Sequence, residues 1–177
     1  MSNNVFIATS LDGYIAKNDG NLDWLENIHN PTNSDFGYAN FIKGIDAIVM
    51  GRGTFMKVLS FESWPYTNQV YVLSNSLNSV PEHLTKKVMI LKGDLNIILK
   101  KIHNNGHHKL YIDGGYTISE FLKKGLINQL IITRVPVILG KGISLFNDLD
   151  SEINLNHVST RSFENGLVQS TYNFIHG

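Results

Sequence analysis

Ala47-Ile48-Val49-Met50-Gly51-Arg52-Gly53-Thr54 is a short, β-branched apolar run that meets glycine just before a helix-like segment. Leu110-Tyr111-Ile112-Asp113-Gly114-Gly115 repeats the design later in the chain. A strand that passes into a helix through glycine leaves backbone N–H groups and a helix N-terminus free to face a phosphate. Two such junctions suit a dinucleotide, and they point to an α/β fold and a nicotinamide-dependent reductase.

Outward from these junctions, strand-like and helix-like runs alternate. Further strands are expected at 5–10, 70–73 and 88–91, each short and rich in branched apolar residues. Tyr14-Ile15-Ala16 can resume the first strand after Asp12-Gly13. Helices are expected at 35–43, capped by Ser34, and at 54–59. Asp94 caps the clearest helix, in which Leu95, Ile98, Leu99 and Ile102 recur on one face before Asn104-Asn105-Gly106. Thr117 with Glu120 reads as a capping box for a helix closed by Gly125. The stretch 17–33 reads as a long loop anchored by Trp24-Leu25. Strands then dominate, at 130–139, 153–163 and 168–175, the last two joined through Asn165-Gly166, the strongest hairpin signal present. The expected architecture is a mostly parallel sheet with helices on both faces and an antiparallel C-terminal edge, in a single domain over 1–177.

Composition narrows the function. The 177 residues carry 15 Lys+Arg against 15 Asp+Glu, a formal net charge of zero. With no long basic run, nucleic acid and anionic membrane surfaces are not expected partners. The absence of cysteine removes disulfides, thiolate zinc sites and cysteine nucleophiles. No signal peptide or run long enough to span a membrane is seen, so a cytoplasmic protein is expected. His107 and His108 are adjacent and would face opposite ways on a strand, and no histidine pair has ligand spacing, so no metal site is expected. There is no Gly-x-Ser-x-Gly elbow, full dinucleotide fingerprint or P-loop.

In order and spacing, Met50-Gly51-Arg52-Gly53-Thr54-Phe55, Val72-Leu73-Ser74-Asn75-Ser76 and Ile112-Asp113-Gly114-Gly115 resemble dihydrofolate reductase and its relatives. Ser10-Leu11-Asp12-Gly13-Tyr14-Ile15-Ala16 and Pro136-Val137-Ile138-Leu139-Gly140-Lys141-Gly142 resemble more narrowly the C-terminal reductase domain of the bifunctional riboflavin-biosynthesis deaminase-reductase and its free-standing relatives. The resemblance implies a dihydrofolate reductase-like three-layer α/β/α sandwich, NADPH as cofactor, a small-molecule substrate and a homodimer. The zinc deaminase of the bifunctional enzyme needs His and Cys ligands, and this sequence has no cysteine for them. The implied activity is reduction of a phosphoribosylaminopyrimidine or a pterin-like ring, with dihydrofolate reduction or a non-catalytic NADPH-binding module as the alternatives.

By the same resemblance, Gly51, Arg52, Gly53 and Thr54 meet the cofactor phosphates. Ser74 and Asn75 face its 2′-phosphate end, and Gly114, Gly115 and Tyr116 lie beside the cofactor, the glycine pair through a cis peptide. Each has a plainer alternative: tight packing for the glycines, a surface ion pair for Arg52, a turn for Ser74 and Asn75. Two carboxylates compete for the proton. Asp35 matches the substrate carboxylate of dihydrofolate reductase, where an apolar cleft would raise its pKa, but it also suits the first turn of a helix. Asp113 matches the acidic residue before the glycine pair in the riboflavin reductases, and can equally cap backbone N–H groups. Asp12, Trp24 and Lys141 are candidate substrate contacts, against roles as a turn residue, a loop anchor and a loop surface residue.

Overall fold

The computed structural model describes residues 1–146, 149 and 151–175. In chain order its elements are β1 (Ser2–Ser10), β2 (Tyr14–Ala16), α1 (Asp23–Glu26), α2 (Tyr38–Lys43), β3 (Ala47–Gly51), α3 (Arg52–Leu59), β4 (Gln69–Leu73) and β5 (Val88–Leu91). There follow α4 (Leu95–Asn104), β6 (Lys109–Asp113), α5 (Gly115–Lys123), β7 (Gln129–Val135), β8 (Ile143–Ser144), β9 (Leu155–Ser162) and β10 (Val168–Phe174). Eight strands form one sheet in the order β5-β4-β3-β6-β1-β7-β10-β9, and β2 pairs with β8 separately. From β5 to β7 every pairing is parallel, whereas β10 and β9 run antiparallel.

Strand alternation explains the layers. Ala47, Val49, Leu110 and Ile112 point to one face, where Ile98, Leu99 and Ile102 of α4 and Ile118 and Phe121 of α5 cover them. Ile48, Met50, Val70 and Val72 point to the other, under Phe41 and Ile42 of α2 and Phe55 of α3. The central strands are apolar at successive positions because both faces are covered, and each such side chain contributes about 1.5–3 kcal/mol on full burial. Among the described residues no helix is long and apolar enough to cross a membrane.

Several expected boundaries shift. Ser34 does not cap a helix at 35; the chain passes Phe36 (φ 52°) and Gly37 (φ 93°) in the left-handed region, and α2 begins at Tyr38. The cause is Asp35, whose carboxylate accepts the backbone N–H groups of Gly37 and Ala39 at 3.0 and 2.7 Å and so turns the chain before the helix. Thr117 is no cap either, since α5 already starts at Gly115 and buries Thr117 inside it. The strand expected over 130–139 stops at Val135, before Pro136, which lacks an N–H for the ladder. Asp94 does cap α4, accepting the Asn96 N–H at 2.8 Å, and Gly166 (φ 83°) turns the expected β9–β10 hairpin.

Candidate active site

β3 and β6 are neighbours in register, with Met50 opposite Asp113. The helices that follow them, α3 and α5, therefore start side by side. An ideal Cβ on Gly114 would fall onto the Thr54 hydroxyl, and one on Gly51 would lie 3.0 Å from the Thr117 hydroxyl. Each junction glycine thus admits a threonine of the opposite helix. Gly114 also has φ 87°, which side chains rarely adopt. A Cβ on Gly115 would strike Ile15 of β2. The cis peptide expected at Gly114-Gly115 is absent: no described peptide bond is cis. The positive φ of Gly114 makes the turn with a trans bond.

A cleft of about 1650 Å³ runs across the C-terminal ends of the parallel strands, through these junctions. Ligands favour this edge because the strands there give way to helix N-termini. Gly51, Arg52, Gly53 and Thr54 line it, as do Ser74, Asn75, Gly114, Gly115 and the exposed Tyr116. Ser74 is also a turn residue, its hydroxyl accepting the N–H groups of Ser76 and Leu77 at 3.3 and 3.0 Å.

Asp113, the last residue of β6, sits on the floor of the cleft. Tyr66 donates its hydroxyl towards the carboxylate at 3.5 Å, while Tyr111 donates to the Phe6 carbonyl at 3.1 Å. Tyr38 packs edge-on against Tyr111, with ring centroids 6.3 Å apart. Desolvation among these rings pushes the Asp113 pKa up, opposed in part by the neighbouring Tyr111 hydroxyl, the Gly114 N–H and the Tyr66 hydroxyl. Burial and the nearby Asp113 charge in turn raise Tyr38 to about 12 and push Tyr66 and Tyr111 up as well. The tyrosines therefore stay neutral donors, and the carboxyl resists ionisation.

The other candidates lie elsewhere. Asp35 is exposed, outside the cleft lining. Backbone hydrogen bonds from Ala39 and Gly37 hold its pKa down, the reverse of the raised value an apolar cleft would give. Asp12 accepts from the Ser10 hydroxyl at 2.6 Å and from the Leu139 and Gly140 N–H groups at 3.1 and 2.7 Å, which ties the loop after β7 to the turn after β1. Lys141 is exposed beyond that tie, and the half-buried Trp24 leaves the lining to Leu22 and Leu25. Tyr66 carried no signal in the sequence, because it reaches Asp113 only when distant segments close on one another. No group of metal-ligating side chains occurs among the described residues.

Comparison with known proteins places this geometry. The sequence matches the RibD C-terminal domain over residues 4–169. It is 35% identical over 163 residues to the uncharacterized protein YwjB of Bacillus subtilis, covering 90% of each chain. The structure is similar to one from Shewanella sp. PV-4, provisionally described as a riboflavin biosynthesis protein, at 45% identity and a TM-score of 0.95, covering 99% of this chain and 100% of that one. Two more distant structures share the fold. One is the diaminohydroxyphosphoribosylaminopyrimidine deaminase/5-amino-6-(5-phosphoribosylamino)uracil reductase of Thermotoga maritima, with 16% identity, a TM-score of 0.77 and coverage of 98% of this chain and 56% of that one. The other is Enterococcus faecalis dihydrofolate reductase complexed with NADP(H), with 17% identity, a TM-score of 0.64 and coverage of 98% and 96%.

Proposed function

The chain belongs to the RibD C-terminal domain family, and from that premise we propose that it is an NADPH-dependent reductase of the riboflavin-pathway type, acting on a small pyrimidine or pterin-like ring. One observation carries the reading: the half-buried Asp113 carboxyl and the two interlocked glycine junctions face the same cleft. The residues present suit the cofactor. Gly51, Gly53 and Gly114 line the cleft and a Cβ on Gly53 would meet nothing, the N-terminus of α3 favours negative charge, and the Arg52 guanidinium matches phosphate geometry. Ser74 and Asn75, at the far end of the cleft, suit the 2′-phosphate end.

Bound NADPH supplies a hydride. The protein's part is to hold the acceptor ring against it, exclude water and manage one proton. Asp113, whose hold on its proton desolvation strengthens, would give that proton to the heteroatom beside the reduced carbon. Tyr66 would then hold the resulting carboxylate through its hydroxyl.

The reading includes a cytoplasmic homodimer, since β9 forms a sheet edge along which every residue is exposed, and a second copy could cover it. The deciding experiment follows NADPH fluorescence and then NADPH absorbance with purified protein and the ribosylaminopyrimidine of riboflavin synthesis or dihydrofolate. Binding with turnover of either is expected. Binding without turnover of any ring compound would favour a non-catalytic module, and no binding would remove the reading.

A further inference from the structure

We infer that Trp64 is a positioning residue: its ring sets the Tyr66 hydroxyl against the Asp113 carboxyl and so fixes the part that Tyr66 takes in the proton step. The inference rests on the reductase reading and adds a residue to it. Tyr66 stands on the segment 60–68, between α3 and β4. Among the described residues, the stretch 62–67 makes no backbone–backbone hydrogen bond, so side chains have to hold it. Two do so. The Asn68 amide donates to the Ile45 carbonyl at 2.7 Å. Trp64 packs edge-on against Tyr66, with ring centroids 5.5 Å apart and planes at 83°, and against Phe55 of α3 at 6.0 Å. Phe55 is buried in the core, and Trp64 therefore ties Tyr66 to a fixed point.

The arrangement does more than fill space. Tyr66 lines the cleft and Trp64 does not, so Trp64 reaches the cleft only through Tyr66. The Trp64 indole N–H is buried with no hydrogen-bond partner among the described residues. The fit of the ring holds it in place. Pro65 stands between the two aromatic residues; its fixed φ, and the extended backbone it favours at Trp64, make one ring's orientation depend on the other's. The Tyr66 hydroxyl lies 3.5 Å from Asp113, at the outer limit of a hydrogen bond. A further shift of about half an ångström would break it. Tyr38 and Tyr111, the other titratable groups that face Asp113, have holds of their own: Tyr38 packs edge-on against Phe6 at 5.7 Å, and Tyr111 donates to the Phe6 carbonyl. Loosening Trp64 is thus felt at Asp113 through Tyr66.

The test follows the Asp113 carboxyl by carbon NMR of the full chain labelled in its aspartate carboxyls, the Asp113 signal being assigned with Asp113→Asn. Neither cofactor nor substrate is present. Tyr66→Phe removes a hydrogen bond that favours the carboxylate, and should move the titration midpoint up by about 0.5 pH unit or more. Trp64→Leu should move it up as far, and the double variant no further. Trp64→Phe keeps an aromatic wall and should titrate nearer the native protein than Trp64→Leu does. If Trp64→Leu does not fold, Pro65→Gly, which frees the two rings from one another without opening the core, should move the midpoint in the same direction. An unmoved midpoint in whichever of these two variants is used, shifts of Trp64→Leu and Tyr66→Phe that add in the double variant, or a Trp64→Phe midpoint no nearer the native one would overturn the inference. Failure of the reductase reading shows separately, as absence of NADPH binding, and leaves these titrations untouched.

Discussion

Gly114 and Thr54 are locked together: the space a Cβ would need on the glycine is taken by the threonine hydroxyl of the neighbouring helix. With Gly51 set against Thr117 in the same way, the two helix N-termini can approach only because each strand ends in glycine. Gly114→Ala should therefore destabilise the fold by about 1–3 kcal/mol, from the positive φ and the overlap together. Adding Thr54→Ala should recover the steric part and leave the conformational part. Chemical denaturation of the four members of the cycle should show coupling of about 1 kcal/mol. Strict additivity would mean that the two positions do not meet.

Asp113→Asn separates stability from function. The folded pKa of Asp113 is raised, so its contribution to stability is fully present only below the unfolded-state pKa and is lost as pH rises through the folded one. At neutral pH the neutral amide should match or exceed the native melting temperature, and the difference should vanish in acid. Turnover should fall by about 10²–10⁴-fold. Asp35→Asn, at an exposed turn, should leave the pH profile of turnover unchanged. A large loss of activity there with Asp113→Asn still active would reverse the assignment.

Tyr66→Phe removes a hydrogen bond that favours the Asp113 carboxylate. The Asp113 pKa should rise further, and the alkaline limb of kcat should move to higher pH with little change in NADPH affinity. An unmoved limb would leave Tyr66 as a wall of the cleft and nothing more.

Arg52→Gln keeps the length of the side chain but removes its charge at the start of α3. Charge-assisted hydrogen bonds contribute about 1.5–3 kcal/mol, so NADPH should bind about 10- to 100-fold more weakly. NADH should lose less. Equal losses for the two cofactors would confine the role of Arg52 to the pyrophosphate.

Asp12→Asn tests the tie between the first turn and the 139–140 loop. The Ser10 hydroxyl and the two loop N–H groups lower the Asp12 pKa below its ordinary 3.8. Its contribution is present above that value and fades as pH falls through the lower folded one. The variant should melt below the native protein at neutral pH, approach it in strong acid and bind NADPH normally. Equal melting at neutral pH would remove the tie.

Much of the fold was legible because its signals are local. The apolar runs at 47–50 and 110–112, the Asp94 cap and the Asn165-Gly166 turn each act within a few residues, and each stands where the pattern placed it. The boundaries that shifted were decided by competition. At Asp35 the carboxylate took two backbone N–H groups and delayed α2, and at Thr117 the helix had already begun at a glycine.

The sequence by itself determined the alternation of strands and helices, the two glycine junctions and the absence of cysteine chemistry, since these depend on residue type and spacing alone. Only the tertiary structure decided which carboxyl is desolvated. Asp35 and Asp113 are chemically identical, and what separates them is solvation. One is left at an exposed turn by the chain around it, while the other is surrounded by Tyr66, Tyr111 and Tyr38, which come from three separate segments. Desolvation is a property of the assembled neighbourhood and has no counterpart in the order of residues.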